Sequence, residues 1–192
     1  MKKFALSLVL SSILVPTAYS SDIASQQLIE ESRQISMGFG KSLKGELQTA
    51  LKAGGPKIGI QTCNVKAPEL ARQSGDKAGV ELSRTSLKLR NPKNAPDDWE
   101  TAVLQQFEER KANGESPKQM EYSEVVDHNG EKVFRYMKAI IIAEPCLKCH
   151  GNNVKQPIAE ELNRLYPDDK ARGYNLGDIR GAFTLQKKIA SN

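Results

Sequence analysis

Between residues 22 and 53 the apolar positions recur at helical spacing. Phe39, Leu43, Leu47 and Leu51 stand four apart on a single face, and Ile35 extends the stripe upstream. Met37 falls in the same stretch and is expected in the core. Ser21 or Asp22 supplies a cap. Gly54-Gly55-Pro56 ends this helix and can start another, since proline is favoured at the first helical position. Ile60, Cys63 and Ala67 then share a face, with a short strand through Ile58-Gly59-Ile60 as the competing reading. Gly59 weakens a helix there. Residues 68–79 are expected to be helical and to close near Gly79. At 82–90 the period changes. Thr85, Leu87 and Leu89 alternate with Arg84, Ser86, Lys88 and Arg90, the pattern of a half-buried strand. Asn91 to Asp98 is a loop by composition, and Asp97 or Asp98 caps a helix over 99–111 that buries Val103 and Phe107.

A hairpin follows the loop at 114–117. Residues 122–126 lead to Asp127-His128-Asn129-Gly130, and 133–143 return; Asn-Gly between two β-like runs is a strong hairpin signal. The run Ala139-Ile140-Ile141-Ile142 is apolar on both sides, which predicts a central strand. Ile158, Leu162 and Leu165 mark a short helix ended by Pro167, and 181–187 reads as a last strand with Phe183 and Leu185 facing one way. Strands joined by hairpins form antiparallel sheets. The expected class is α+β: one small antiparallel sheet flanked by helices, with no internal repeat.

The first twenty residues stand apart. Lys2 and Lys3 precede an apolar stretch of about a dozen residues, short for a bilayer span. Ala18 and Ser20 follow as small residues two apart, the pattern a signal peptidase reads. The expectation is export, with cleavage near Ser20/Ser21, a periplasmic location, no stable membrane insertion afterwards, and a single domain over 21–192. Cleavage removes Lys2 and Lys3 and no acid, so the net charge falls from +5 to +3. No Lys/Arg run is long enough for a nucleic-acid groove.

Cys146-Leu147-Lys148-Cys149-His150 is a c-type haem attachment sequence. Two thiols three positions apart can each form a thioether at one edge of a porphyrin, and the next residue, His150, is then held beneath the iron as an axial ligand. A thioredoxin-like CxxC favours a βαβ context, which is not the context here. A zinc site wants a second ligand pair, and only Cys63 and His128 remain. One motif means one haem, so a multihaem wire is excluded. For the sixth position the residues leave alternatives. His128 lies in the hairpin turn, where an exposed polar role is the simpler reading. Among the mature methionines, Met37 reads as core and Met137 lies on a strand, with Met120 the third. Cys63 is the odd cysteine of three in an exported chain. Residue chemistry alone favours a small buried hydrophobe for it over a ligand. Arg84, Lys88 and Arg90 would share a strand face, and a solvated sheet face outweighs contact with haem propionates.

Several segments together resemble a known family. They are Cys63-Asn64-Val65-Lys66-Ala67-Pro68-Glu69, the run from Arg84 through Arg90-Asn91-Pro92-Lys93-Asn94-Ala95-Pro96 to Glu100, Cys146 to Gly151, Tyr166-Pro167-Asp168, Gly173-Tyr174, and Gly177 to Ala182. The family carries a single c-type haem on a PAS-like fold and was long catalogued as a domain of unknown function. Its members occur alone in the periplasm or as sensor regions of signalling proteins. The resemblance covers nearly the whole mature chain. It implies a PAS-like fold and iron held by His150 and Cys63, with Cys146 and Cys149 attaching the haem. It also implies redox or gas sensing. A thiolate is a strong donor that favours ferric iron and a low potential. Its loss by protonation, oxidation or displacement would open the iron to a small, for example gaseous, ligand. A sensor of this kind needs a separate redox or signalling partner. The rival reading is a small monohaem electron-transfer protein. An enzyme such as a peroxidase needs a free distal site with an acid–base group, for which no His or Arg is clearly placed.

Overall fold

The computed structural model describes residues 17–128 and 130–189. The proposed signal segment lies outside these residues up to position 16; residues 17–20 begin the first helix. That helix, α1 (Thr17–Ala78), is two arms joined at a break. Gly54 and Gly55 leave helical geometry, Gly55 at φ 70° and ψ −164°, a region open only to glycine. Pro56 then opens the second arm, as its fixed φ and missing N–H suit. The reading that placed a helix, not a strand, over 58–60 is the observed one. At Gly59 an added Cβ would lie 3.0 Å from Leu51 and 3.1 Å from Leu47. The missing side chain lets the two arms fold back against each other.

The sheet contains β1 (Glu81–Thr85), β2 (Glu121–His128), β3 (Glu131–Ile141) and β4 (Ile179–Lys188). Their order is β1-β4-β3-β2, and every pairing is antiparallel. The α+β class is therefore the observed one. The hairpin pairs Tyr122 with Met137 and His128 with Glu131, and β3 is internal as its apolar run requires. Asn129 of the turn lies outside the described residues. The last strand is more central than its position at the chain end suggests, since it lies between β1 and β3.

Two predicted features are corrected. The strand expected over 82–90 stops at Thr85. The Ser86 hydroxyl donates to the Arg180 carbonyl at 2.7 Å and accepts from the Lys88 amide at 3.2 Å, which turns the chain out of the sheet. Met37 is 57% exposed rather than core. The buried face of the helix runs through Ser32, Ser36 and Phe39, and Met37 falls beside it.

The sheet buries both faces. On one, α2 (Asp98–Ala112) packs Val103, Leu104 and Phe107 against Met137, Ala139 and Ala182. Asp97 and Glu100 start this helix with a reciprocal capping box. On the other face α1 packs Phe39 and Ala71 against Leu82, Phe134, Tyr136 and Leu185. Phe183 meets Phe39 edge to face at 5.5 Å, so Phe183 and Leu185 do share a side. The short helix α3 (Leu147–His150) follows β3, and α4 (Gln156–Leu165) packs Ile158 and Leu162 against Ile60 of the second arm. Among the described residues no helix is long and apolar enough to cross a membrane.

Candidate functional site

One cavity of about 620 Å³ lies between the second arm of α1, β1, the end of β3 and the CxxCH segment. It falls within the size range of small-molecule and cofactor pockets. Cys63, Cys146, Cys149 and His150 all line it. Cys63 comes from the face of α1 that also carries Ile60 and Ala67. The other three come from a single helical turn, where positions i, i+3 and i+4 share a face. None of the three cysteines is in a disulfide. The four donors border a space rather than converge on a point. Among the described residues no three His, Cys, Asp or Glu side chains meet as a metal cluster. His128 is exposed at the far end of the hairpin, roughly 30 Å of strand from the CxxCH turn. Met120 and Met137 are buried on the α2 face of the sheet and do not line the cavity.

His150 is held by a brace. Its Nδ1 lies 2.8 Å from the Ala171 carbonyl, and the backbone of Tyr174 donates to the His150 carbonyl at 3.0 Å. A carbonyl only accepts, so Nδ1 carries the proton and Nε2 keeps its lone pair. Arg90 Nη1 donates to Nε2 at 3.3 Å. Arg180 Nε also lies 3.3 Å from Nδ1, but Nδ1 cannot accept from it while donating to Ala171. The shorter carbonyl contact decides the tautomer. Burial first, then the charges of Arg90 and Arg180, push the His150 pKa down to about 3. Its imidazole is neutral, the form a metal ligand needs. A second nitrogen bonded to a backbone carbonyl is the usual support for a ligating histidine.

The brace is anchored by Asp169, whose side chain is 1% exposed. It receives Arg90 Nε at 3.1 Å, Arg172 Nε at 2.8 Å and the Ala171 amide at 3.0 Å. Burial alone would raise its pKa, but the bonds from Arg90 and Arg172 outweigh burial and hold it below the ordinary range. Arg90 also donates to the Cys149 carbonyl at 2.6 Å, tying the attachment turn to the same network. Burial pushes the Cys63 and Cys149 thiols up, with Arg84 and Arg90 opposing at Cys63 and Arg90 opposing at Cys149.

Arg84, Arg90 and Arg180 line the cavity with the cysteines. The reading of Arg84, Lys88 and Arg90 as one solvated strand face is thus corrected: only Lys88 is exposed. The chain leaves the sheet at Ser86, and that turn, invisible in the alternating pattern, carries Arg90 inward. Arg180, Asp169 and Ala171 went unrecognised as site residues. Arg180 stands within a family-like segment without a role of its own, Asp169 carries no motif, and an alanine that acts through its carbonyl leaves no side-chain signal.

Fold and site together define an α+β module built around a cavity lined by cysteine, histidine and arginine. The chain belongs to the Tll0287-like family, whose model matches residues 17–187. Among solved structures it is similar to the crystal structure of the cyanobacterial heme-protein Tll0287. The TM-score is 0.57 and the identity 20%, over 93% of this chain and 99% of that one. At that identity the likeness is one of fold. No curated protein matches the chain.

Proposed function

We propose that this chain is an exported periplasmic protein carrying one covalent haem c, with Cys146 and Cys149 as the thioether residues and His150 and Cys63 as iron ligands, and that it serves as a redox or small-ligand sensor-type domain. The observation that carries the reading is the meeting of Cys63 with the CxxCH residues on one cavity, although 83 positions separate Cys63 from Cys146. The donor set fits the group. Two unpaired thiols lie on one helical face, a neutral imidazole has its far nitrogen fixed, and a third thiol stands on a different element. The similarity to a heme-protein fold over nearly the whole chain supports the same reading.

Haem supplies an iron centre whose potential and reactivity follow its axial ligands. The chain's part is to place them. Cys146 and Cys149 fix the group on the turn. Ala171 holds the Nδ1 proton of His150 and so leaves the Nε2 lone pair, which here accepts from Arg90, as the one that would bind the iron. The Cys63 thiol, raised by burial, must give up its proton to bind. A ligand held at that cost is the one that protonation, oxidation or displacement removes first, and this is the basis of a sensing role.

Intact mass of the periplasmic protein should show one haem per chain and a start near Ser21, and the haem should survive acid–organic denaturation. The ferric protein should be low-spin with a red-shifted Soret band and sulfur-to-iron charge-transfer absorption. Cys63→Ala should abolish these features, raise the reduction potential and leave the haem attached. An unchanged ferric spectrum in that variant would reduce Cys63 to a core residue. Ligand exchange during a reductive titration supports sensing; an unchanged coordination sphere supports electron transfer.

A further inference from the structure

Nine arginines lie among the described residues, and seven of them form ion pairs with carboxylates. Several of the seven are well exposed, Arg72 at 68% and Arg164 at 59% of their side chains. The two without a carboxylate, Arg84 and Arg180, are both half-buried and both line the cavity that holds Cys63 and the CxxCH turn. This inverts what electrostatics demands, since a guanidinium withdrawn from water needs an anion far more than an exposed one does. Arg72 and Arg90, the other two arginines on the cavity wall, already have Asp76 and Asp169.

The backbone aims these two side chains. Arg84 stands on β1 opposite Phe183, on the face of the sheet that carries Leu82 toward α1. Arg180 sits at a register break in β4. Ile140 faces Gly181 and Ile141 faces Ile179, so Arg180 is an extra residue with no partner across the pair. Such a bulge re-aims a side chain and is common beside functional sites. The Arg180 guanidinium has neutral neighbours: Nη1 donates to Ser86 Oγ at 2.7 Å and to the Lys88 carbonyl at 3.1 Å, Nε lies 3.3 Å from His150 Nδ1, and the Tyr174 ring lies 5.6 Å away.

We propose that Arg84 and Arg180 are the propionate clamp of this protein, one guanidinium for each carboxylate of the haem. The inference rests on the haem reading and extends it to residues outside the attachment motif. Two fixed cations suit a group with two carboxylates, and each guanidinium can meet a carboxylate with two parallel N–H bonds. Lys93 and Lys148 also border the cavity, but both are exposed and hydrated, so they offer the propionates less than a half-buried guanidinium does.

The test uses the haem-loaded protein. Resonance Raman spectra of wild type, R84Q, R180Q and the double variant are compared in the propionate bending region. Each single variant should shift one band, and the double variant both. R84K and R180K should restore part of each shift, and they carry the test should a glutamine variant fail to accumulate. Arg164→Gln, which removes an ion-paired arginine outside the cavity, should shift neither band. A crystal structure of the loaded wild type should place one carboxylate on each guanidinium. Unmoved bands in the double variant, or propionates lying on Lys93, Lys148 or solvent, would overturn the clamp. A wild type without covalent haem by mass would instead overturn the reading beneath it, so the two failures are distinct.

Discussion

At the scale of single residues, the site depends on how His150 is kept neutral. Enclosure by protein and two guanidinium neighbours lower its pKa, and a hydrogen bond to Ala171 and the charge of Asp169 oppose them. The result is a pKa of about 3 against an ordinary 6.5. Linkage gives the sign. Below 6.5 the unfolded chain takes up a proton at this position that the folded chain refuses, so the stabilisation is whole above pH 6.5 and drains away as pH falls toward 3. On the haem reading, iron ligation would require the same neutral ring, so loading would leave the sign unchanged. Denaturant titrations between pH 7 and pH 5 should show stability falling with acidity, at most about 1.4 kcal/mol per pH unit from this residue. His150→Gln should flatten that slope whatever it does to stability at pH 7. An identical slope in wild type and variant would show that the ring is not held neutral. The support for His150 is itself layered. Asp169 orders the segment whose Ala171 carbonyl receives the Nδ1 proton, and Arg90 links Asp169 to the Cys149 carbonyl.

At the scale of elements, the break in α1 decides whether the two arms can meet and so whether Cys63 can face the CxxCH turn. Gly55→Ala forces a side chain into a conformation reserved for glycine and should cost roughly 1–3 kcal/mol in urea unfolding. Gly38→Ala lies within the first arm, where an added Cβ meets nothing within 4 Å, and should instead stabilise by about 0.5–1 kcal/mol. Equal effects would mean that the break is not a built feature. This element was legible in advance, because Gly-Gly-Pro is a stop followed by a start. The α2 cap at Asp97 and the hairpin were legible for the same reason: each is signalled by residues adjacent in the chain. The overlong β1 was not, because alternation continues through Ser86 to Arg90 while the hydroxyl of Ser86 redirects the backbone. Met37 was misjudged because a stretch that is one-sidedly apolar still admits an apolar residue on its wet face.

At the scale of the whole molecule, the cavity is made by parts that local patterns cannot connect: the second arm of α1, the edge strand β1, the end of β3 and the segment before β4. The CxxCH residues were readable because one helical turn unites them. Cys63 needed the family resemblance, and Arg84 and Arg180 needed the fold, since a cation's missing partner is a property of space rather than of sequence. This construction has an energetic consequence. A chain that folds around a 620 Å³ cavity with two carboxylate-free guanidiniums in its wall should depend on its occupant for stability. On the haem reading, joining the group covalently to the attachment turn would make it part of the core. A Cys146→Ser/Cys149→Ser double variant removes both attachment points while conserving size and polarity closely. On the haem reading, the variant recovered without haem should melt about 5–10 °C below the loaded wild type, the equivalent of ~2–3 kcal/mol in a chain of this length. Its hydrogen exchange should rise most in α3 and the second arm of α1, and least in the α2 face of the sheet, where Phe107, Met120 and Met137 pack without touching the cavity. Uniform loss of protection across the chain would mean that the cavity is not a separately stabilised region. An unchanged melting temperature would mean that the fold is complete without its occupant.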